Sequence, residues 1–265
     1  MAVRQPSRTL RDATAGLRPG RSGVVLAYHD VISDTAEVYP YAVTESTFLH
    51  QLDLVEAVGL RPVTLSHFTD CLAAGDASGL AAIVFDDALV GVHQHALPRL
   101  ADRGLPWTLL PVTERTGVRP QWWPEASRTM NRTEIDDALS AGATLCAHTT
   151  THASLPGMST ADALDDLRRS RDSLSDWAGT DIRELCYPFG HQNARIRAVA
   201  SDAGYRVGFT FTNGRSDPRT DMYAQPRLAM HENLRSAKWL ATLLRPRRSW
   251  PPVRDLGVDD SGDAS

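Results

Sequence analysis

One pattern recurs along this chain of 265 residues: an amphipathic stretch with helical spacing, then a glycine, then a short apolar or β-branched run. It occurs four times, with the glycines at Gly59, Gly104, Gly142 and Gly204. A fifth helix is predicted from roughly Ser159 to Trp177, with leucines on one stripe and Asp and Arg residues on the opposite face. This alternation of helices and strands indicates an α/β fold with a parallel sheet.

Two further apolar runs have the length and the β-branched content of buried strands, namely GVVLAYH and AAIVFDD. With about seven strands in all, the sheet would be either a barrel or doubly wound. The chain is long enough to bury one sizeable core. We therefore expect one domain over residues 22–246, an N-terminal extension over residues 1–21 and a disordered tail over residues 247–265.

The charge and the cysteine content exclude several partners. A net charge of −4 provides no basic surface for nucleic acid or for an anionic membrane, so we expect neither partner. Three scattered cysteines are too few for a disulfide framework and favour a reducing compartment. The first twenty residues lack the continuous apolar core of a signal peptide or membrane span, so the sequence predicts a cytoplasmic protein.

Polar side chains stand at the ends of several predicted strands. In parallel α/β folds, functional groups gather at the carboxyl ends of the strands, because the variable loops meet there. The candidates at such positions are His29, Asp86, Asp87, His148, His152, the turn Pro188, Phe189, Gly190, and Arg227.

Two of these groups point to a metal. Asp86 and Asp87 are adjacent carboxylates that repel each other, and a cation or an arginine would relieve the repulsion, although solvated strand ends also carry such pairs. His148 and His152 are spaced to converge on one metal, although two hydrogen-bonded structural histidines would look the same. One aspartate with both histidines would leave an open position for water, as in catalytic zinc sites, and the other aspartate would be free to act as a base. Cys146 is a weaker candidate ligand.

The segments VFDD, HTTTH, CYPFG and QPRL, in this order and at these separations, resemble the polysaccharide deacetylase family. This family is also called the NodB homology domain or carbohydrate esterase family 4. The likeness extends over roughly residues 22–244, and the opening LAYHDV is similar to the branch that deacetylates exopolysaccharides. The resemblance implies a deformed (β/α) barrel with about seven parallel strands and a divalent metal ion, zinc first among the candidates.

The resemblance also implies roles for individual residues. The general base is Asp86, and Arg227 orients it. The metal ligands are Asp87, His148 and His152, and the groove wall includes Pro188 and Phe189. His29 takes the role of general acid. Apart from the resemblance, the position of His231 directly after RLAM makes it the competitor for that role.

Three departures from the family pattern stand out. Ala88 replaces the usual glycine and is expected to narrow the pocket or strain the turn. Cys186 stands where the chitin-deacetylase branch has arginine, and no terminal Leu-x-His motif is recognisable.

The leading functional hypothesis is a metal-dependent hydrolase that removes N-acetyl groups from an amino sugar or an N-acetylated glycan. Trp122 and Trp123 lie in a loop where they would add stacking surfaces for sugar rings. One alternative is hydrolysis of an O-acetyl ester or a cyclic amide on the same fold. The other is a catalytically inactive carbohydrate-binding homologue, which the three departures would explain.

Overall fold

A computed structural model describes residues 21–234 of the chain. Most of the predicted N-terminal extension, the predicted tail and the predicted domain end at residue 246 lie outside the described residues. The strands are β1 Val24–Tyr28, β2 Asp30–Ile32, β3 Ala42–Thr44, β4 Arg61–Val63, β5 Leu80–Asp86, β6 Trp107–Leu110, β7 Ala143–Leu145, β8 Glu184–Cys186, β9 Val207–Asn213 and β10 Gln225–Ala229. The α-helices are α1 Glu45–Ala57, α2 Leu65–Ala73, α3 Leu97–Arg103, α4 Arg132–Ser140, α5 Thr160–Ala178 and α6 Ala194–Asp202.

Seven parallel strands form a curled sheet in the order β7-β6-β5-β1-β10-β9-β8. An isolated parallel bridge between Ala147 and Leu185 links the two ends of this order, so the sheet curls round on itself. The short strand β4 pairs with the beginning of β5. This architecture confirms the predicted deformed (β/α) barrel with about seven strands.

Alternation of side chains along the strands separates two apolar layers. Val25 and Ala27 of β1 belong to the cluster inside the barrel, together with Ala82 and Val84 of β5. The residues between them on each strand belong to the cluster that packs against the helices. Because successive side chains of a strand point to opposite faces, the residue two positions after Val84, which is Asp86, continues the inner row.

The helices begin and end at the residues that their sequences favour. Ser159 caps α5 by accepting a hydrogen bond from the backbone N–H of Asp162, and α5 ends at Gly179 in the left-handed conformation. The predicted fifth helix therefore lies where expected. The prediction of its polar face was wrong at one position, because Asp166 lies on the buried side of α5.

Two parts of the fold were not predicted from the sequence. The first is α2, whose Phe68 and Leu72 pack against the inner cluster and close the amino-terminal end of the barrel. The second is the parallel pair of β2 and β3, which follows β1. None of the helices within residues 21–234 has both the length and the apolar content needed to cross a membrane.

The cap of α4 provides a test of the fold. Asn131 accepts a hydrogen bond from the backbone N–H of Glu134, and the Glu134 carboxylate accepts one from the backbone N–H of Asn131. Loss of such a cap costs about 1 kcal/mol, so Asn131→Ala is expected to lower the free energy of unfolding by that amount in urea denaturation. Thr133→Ala, in the same first turn and equally exposed, is the control. A cap with no role in stability would leave the two variants equal.

Candidate active site

The carboxyl end of β5 carries both aspartates into the barrel mouth. Asp86 is the last residue of β5, and the chain then turns through Asp87 and Ala88, which have φ angles of 65° and 51°. This left-handed backbone is unfavourable for non-glycine residues by about 1–2 kcal/mol each. The turn buries both carboxylates, with 2% of each residue exposed. Strain at Ala88 is confirmed, but its methyl group packs into the outer apolar layer.

The loop after β7 carries the two histidines. Thr149 and His152 have φ angles of 67° and 63°, so this loop also contains left-handed non-glycine residues. Its shape brings the His148 and His152 rings to a centroid separation of 4.9 Å. His148 Nδ1 lies 2.7 Å from the backbone oxygen of Cys186, which fixes Nδ1 as the donor and leaves Nε2 with a free lone pair.

Asp87, His148 and His152 converge on one point. Asp87 Oδ1 lies 3.5 Å from His148 Nε2 and 3.2 Å from His152 Nε2. All three residues are buried, and each offers one ligand atom within 4.8 Å of the others. Within residues 21–234, Asp87 Oδ1 accepts no hydrogen bond, which is costly for a buried carboxylate oxygen. A buried oxygen without a partner and two imidazole nitrogens suit a divalent metal, because these are its preferred ligands.

The protonation of this trio follows from its charges. Burial alone would raise the pKa of Asp87, but the two histidines outweigh it and hold the pKa well below its usual range. Burial lowers the pKa of His148, yet its contact with Asp87 leaves a net increase. Burial dominates at His152 and lowers its pKa to about 3, with the neighbouring His148 adding to the effect. These shifts favour an ionised Asp87 carboxylate and a neutral His152 imidazole.

Asp86 has a different partner. Arg227 on β10 donates two parallel hydrogen bonds to it, with Nη1 to Oδ1 at 2.7 Å and Nη2 to Oδ2 at 2.9 Å. Arg227 Nε also donates to the backbone oxygen of Thr210 at 3.0 Å, so the guanidinium is held on both edges. Burial would raise the pKa of Asp86, but the Arg227 charge outweighs it and lowers the pKa. Asp86 is therefore ionised at neutral pH and fixed in orientation.

His29 lies on the other side of Asp86. Its Nε2 is 3.8 Å from Asp86 Oδ2, and burial lowers its pKa despite the two nearby carboxylates. His231, the competitor for the acid role, packs instead against the Tyr41 ring at 5.2 Å between centroids. The structure thus places His29, and not His231, beside the candidate base.

An aromatic wall covers the histidine side of the site. The Trp122 ring stacks on His152 with centroids 4.4 Å apart and planes at 16°. Phe189 meets the same imidazole edge-on at 4.6 Å and is 49% exposed, with Pro188 buried beside it. Trp122 Nε1 is buried and makes no hydrogen bond within the described part of the chain. The structure therefore brings the predicted groove residues Trp122, Pro188 and Phe189 to the metal-site side.

A second aromatic group surrounds His29. Trp123 meets the His29 ring edge-on at 5.6 Å, as Phe211 does at 5.4 Å, and Tyr41 lies 5.2 Å away. Neither Tyr41 nor Phe211 was predicted from the sequence to lie at the site. Tyr41 is 40% exposed and has a φ angle of 62°. A tyrosine in this backbone conformation is uncommon. No sequence signal marks it, since no glycine or asparagine stands there.

Cys146 and Cys186 lie beneath the site. Their sulfur atoms are 3.8 Å apart, both residues are fully buried, and both belong to the inner apolar layer. Within residues 21–234, the candidate metal set contains neither cysteine, so Cys146 is not brought to the trio. Cys186 stands where the chitin-deacetylase branch has arginine. This replacement does not affect the hydrogen bond of His148, because His148 bonds to the backbone oxygen of Cys186 and not to its side chain.

Comparison with known proteins identifies the family. A family model described as "Polysaccharide deacetylase" matches residues 75–208, about half of the chain. The chain belongs to the polysaccharide deacetylase family. This confirms the resemblance drawn from the four motifs, three of which, VFDD, HTTTH and CYPFG, lie inside the matched span.

Relatives of this deacetylase-family chain share its fold at low identity. YxkH of Bacillus subtilis is 23% identical over 146 residues, which are 55% of this chain and 50% of YxkH, so the match spans about half of that relative. The deacetylase PplD of Streptococcus pyogenes, solved in complex with acetate, is 19% identical with a TM-score of 0.74, over 86% of this chain and 100% of PplD. IcaB from Ammonifex degensii is 24% identical with a TM-score of 0.72, over 85% of this chain and 98% of IcaB. These likenesses show the barrel fold.

The geometry of the trio predicts a metal-dependent gain in stability. Because a ligand that binds only the folded state stabilises it, Zn²⁺ at about 100 times its Kd is expected to add about 2.7 kcal/mol, visible as a higher Tm. The double variant His148→Ala, His152→Ala is expected to lose this gain. The matched control, His67→Ala with His93→Ala, removes two histidines that lie outside the candidate metal set and should keep it. An equal gain in both double variants would contradict the site.

Proposed function

We propose that this family member hydrolyses an N-acetyl group of an amino sugar or of an N-acetylated glycan, to give acetate and a free amine. The observation that carries the proposal is the ionised carboxylate of Asp86 beside a second buried carboxylate, Asp87, that faces two imidazoles. This arrangement separates a group able to accept a proton from a group able to bind a cation. Metal-assisted hydrolysis of an amide uses both.

Asp87, His148 and His152 would hold the ion, for which zinc is the first candidate because two nitrogens and one carboxylate oxygen suit it. When bound, a divalent ion acidifies water and polarises the acyl oxygen. The hydrogen bond from His148 Nδ1 to the Cys186 backbone oxygen keeps Nε2 directed towards the trio.

Asp86 takes the role of general base. Arg227 keeps it ionised and aligned, but it also lowers the pKa and so makes Asp86 a weak base. A weak base suffices only where the water is already acidic, which is why the base and the cation-binding trio must be adjacent. This adjacency follows directly from the sequence order of Asp86 and Asp87.

His29 takes the role of general acid. Its Nε2 lies 3.8 Å from Asp86 Oδ2, so a proton that Asp86 removes from water has a short route to His29 and from there to the leaving amine. Because burial lowers its pKa, His29 is neutral at rest and releases a proton readily once it has one. The reaction balances, because one water molecule supplies both the hydroxyl group of the acetic acid and the hydrogen that the amine gains.

The aromatic rings on both sides support a sugar as the substrate. Trp122 and Phe189 flank His152, whereas Trp123 flanks His29, so apolar ring faces lie on either side of the reacting centre. Such faces stack on sugar rings. The acetate held by the structural relative PplD agrees with an acetyl group as the part released.

A substrate screen tests the bond that is cleaved. Metal-loaded protein is expected to release acetate from oligomers of N-acetylated amino sugars at a higher kcat/KM than from O-acetylated sugars, and to leave cyclic amides intact. Acetate and ring-opened product would be measured separately. Turnover of the esters or cyclic amides alone would replace the proposal by the corresponding hydrolase. Sugar binding without turnover of any of them would support an inactive binding homologue.

The base assignment has its own test. Asp86→Asn is expected to retain stoichiometric metal and to lose about 10²–10⁴-fold in kcat, the usual contribution of general acid–base catalysis. It also leaves Arg227 buried without its anion, at a cost of about 3–5 kcal/mol of stability. The double variant Asp86→Asn, Arg227→Met removes that charge and should fold better while staying inactive. Normal kcat in either metal-loaded variant would remove Asp86 as the base.

A further inference from the structure

The loop that carries His148 and His152 is held in an unfavourable shape. Thr149 and His152 both have left-handed backbone, which side chains with a Cβ adopt rarely. The backbone N–H of His152 donates to Thr149 Oγ1 at 3.0 Å, so part of the support comes from the loop itself. On one flank, the backbone N–H groups of Thr113 and Glu114 donate to the Thr149 and Thr150 backbone oxygens. A loop of this shape needs a fixed partner on its other flank too.

Asp166 on α5 is that partner. Its Oδ1 accepts a hydrogen bond from the Thr150 backbone N–H at 3.2 Å, and its Oδ2 accepts one from the Thr150 hydroxyl. Asp166 is 5% exposed and lies on the face of α5 that otherwise packs through Ala163, Leu167 and Leu174. A carboxylate at such a position costs free energy unless it is satisfied.

Ion pairing does not explain why the Asp166 carboxylate is buried. Across residues 21–234, no arginine, lysine or histidine forms an ion pair with it, although its neighbour Asp165 pairs with Arg169. Both oxygens of Asp166 are instead used by Thr150, the middle residue between the two histidines. The carboxylate therefore connects the longest helix of the described chain to the centre of the metal-binding loop.

We propose that Asp166 is a positioning residue that holds the His148–His152 loop in the geometry that binds the metal, acting through both hydrogen-bond donors of Thr150. The proposal rests on the metal site of the proposed function. It adds a residue that touches neither the metal ligands nor the substrate groove, and it assigns Thr150 a role that the motif HTTTH does not reveal. Outer partners of this kind set the orientation of first ligands, and their loss weakens metal binding.

The test measures metal affinity on purified full-length protein. Zn²⁺ affinity would be determined by competition with a chromophoric chelator, and the ligand geometry by the visible absorption of the Co²⁺-loaded protein. Asp166→Ala removes both acceptors and Thr150→Val removes one donor, so each is expected to weaken Zn²⁺ binding by about 10–100-fold, the usual effect of losing such partners. Thr150→Ser, which keeps the hydroxyl, should bind as the wild type does. Asp165→Asn, next on α5 and solvent-exposed, is the matched control.

The outcomes separate this inference from the proposed function. Wild-type affinity and an unchanged Co²⁺ spectrum in both Asp166→Ala and Thr150→Val would overturn the positioning role while the metal site stands. A lower Tm of the metal-free protein with unchanged affinity would show a structural role only, and would equally overturn it. If Asp166→Ala does not fold, the comparison of Thr150→Val with Thr150→Ser decides alone. Absence of Zn²⁺ binding in the wild type itself would refute the metal site first.

Discussion

Two carboxylates buried side by side at the end of β5 are the constraint on which the rest of the site depends. Neither Asp86 nor Asp87 can reach bulk water, so each needs positive charge or hydrogen-bond donors from the surrounding strands. Arg227 on β10 neutralises Asp86 with two hydrogen bonds. Asp87 faces His148 and His152, and because burial lowers the pKa of His152 to about 3, this imidazole brings no positive charge to the carboxylate. A divalent ion would complete that balance, which links the electrostatics of the barrel to its proposed chemistry.

The barrel supplies this arrangement because of its side-chain alternation and its strand order. The inner rows of β1 and β5 run through small apolar residues and end in His29 and Asp86, and these strands are neighbours in the sheet. Arg227 approaches from β10 on the other side of β1. Polar groups that are 141 residues apart in sequence therefore meet at one strand end, as Asp86 and Arg227 do. The left-handed turns then aim Asp87 and His152 at a common point.

Much of this could be predicted from the sequence, for identifiable reasons. Apolar runs that end in charged residues indicate which side chains lie at the carboxyl ends of strands, and this located Asp86, Asp87, His148 and Arg227. The parts that escaped prediction depend on contacts between distant segments. Tyr41 and Phe211 join the site only through tertiary packing, and Asp166 reads as an ordinary helix-surface acid until Thr150 is placed against it. The assigned roles themselves stay proposals.

The most direct test of the account is the position of a bound ion. Crystals grown with Zn²⁺ would be measured at the zinc absorption edge, and the anomalous difference map would locate the metal. The account predicts one strong peak at about 2.0–2.2 Å from a carboxylate oxygen of Asp87 and from one ring nitrogen each of His148 and His152, with Asp86 still bound to Arg227. A peak that excludes Asp87, or one that displaces Arg227 to bind Asp86, would contradict the division between ligand and base.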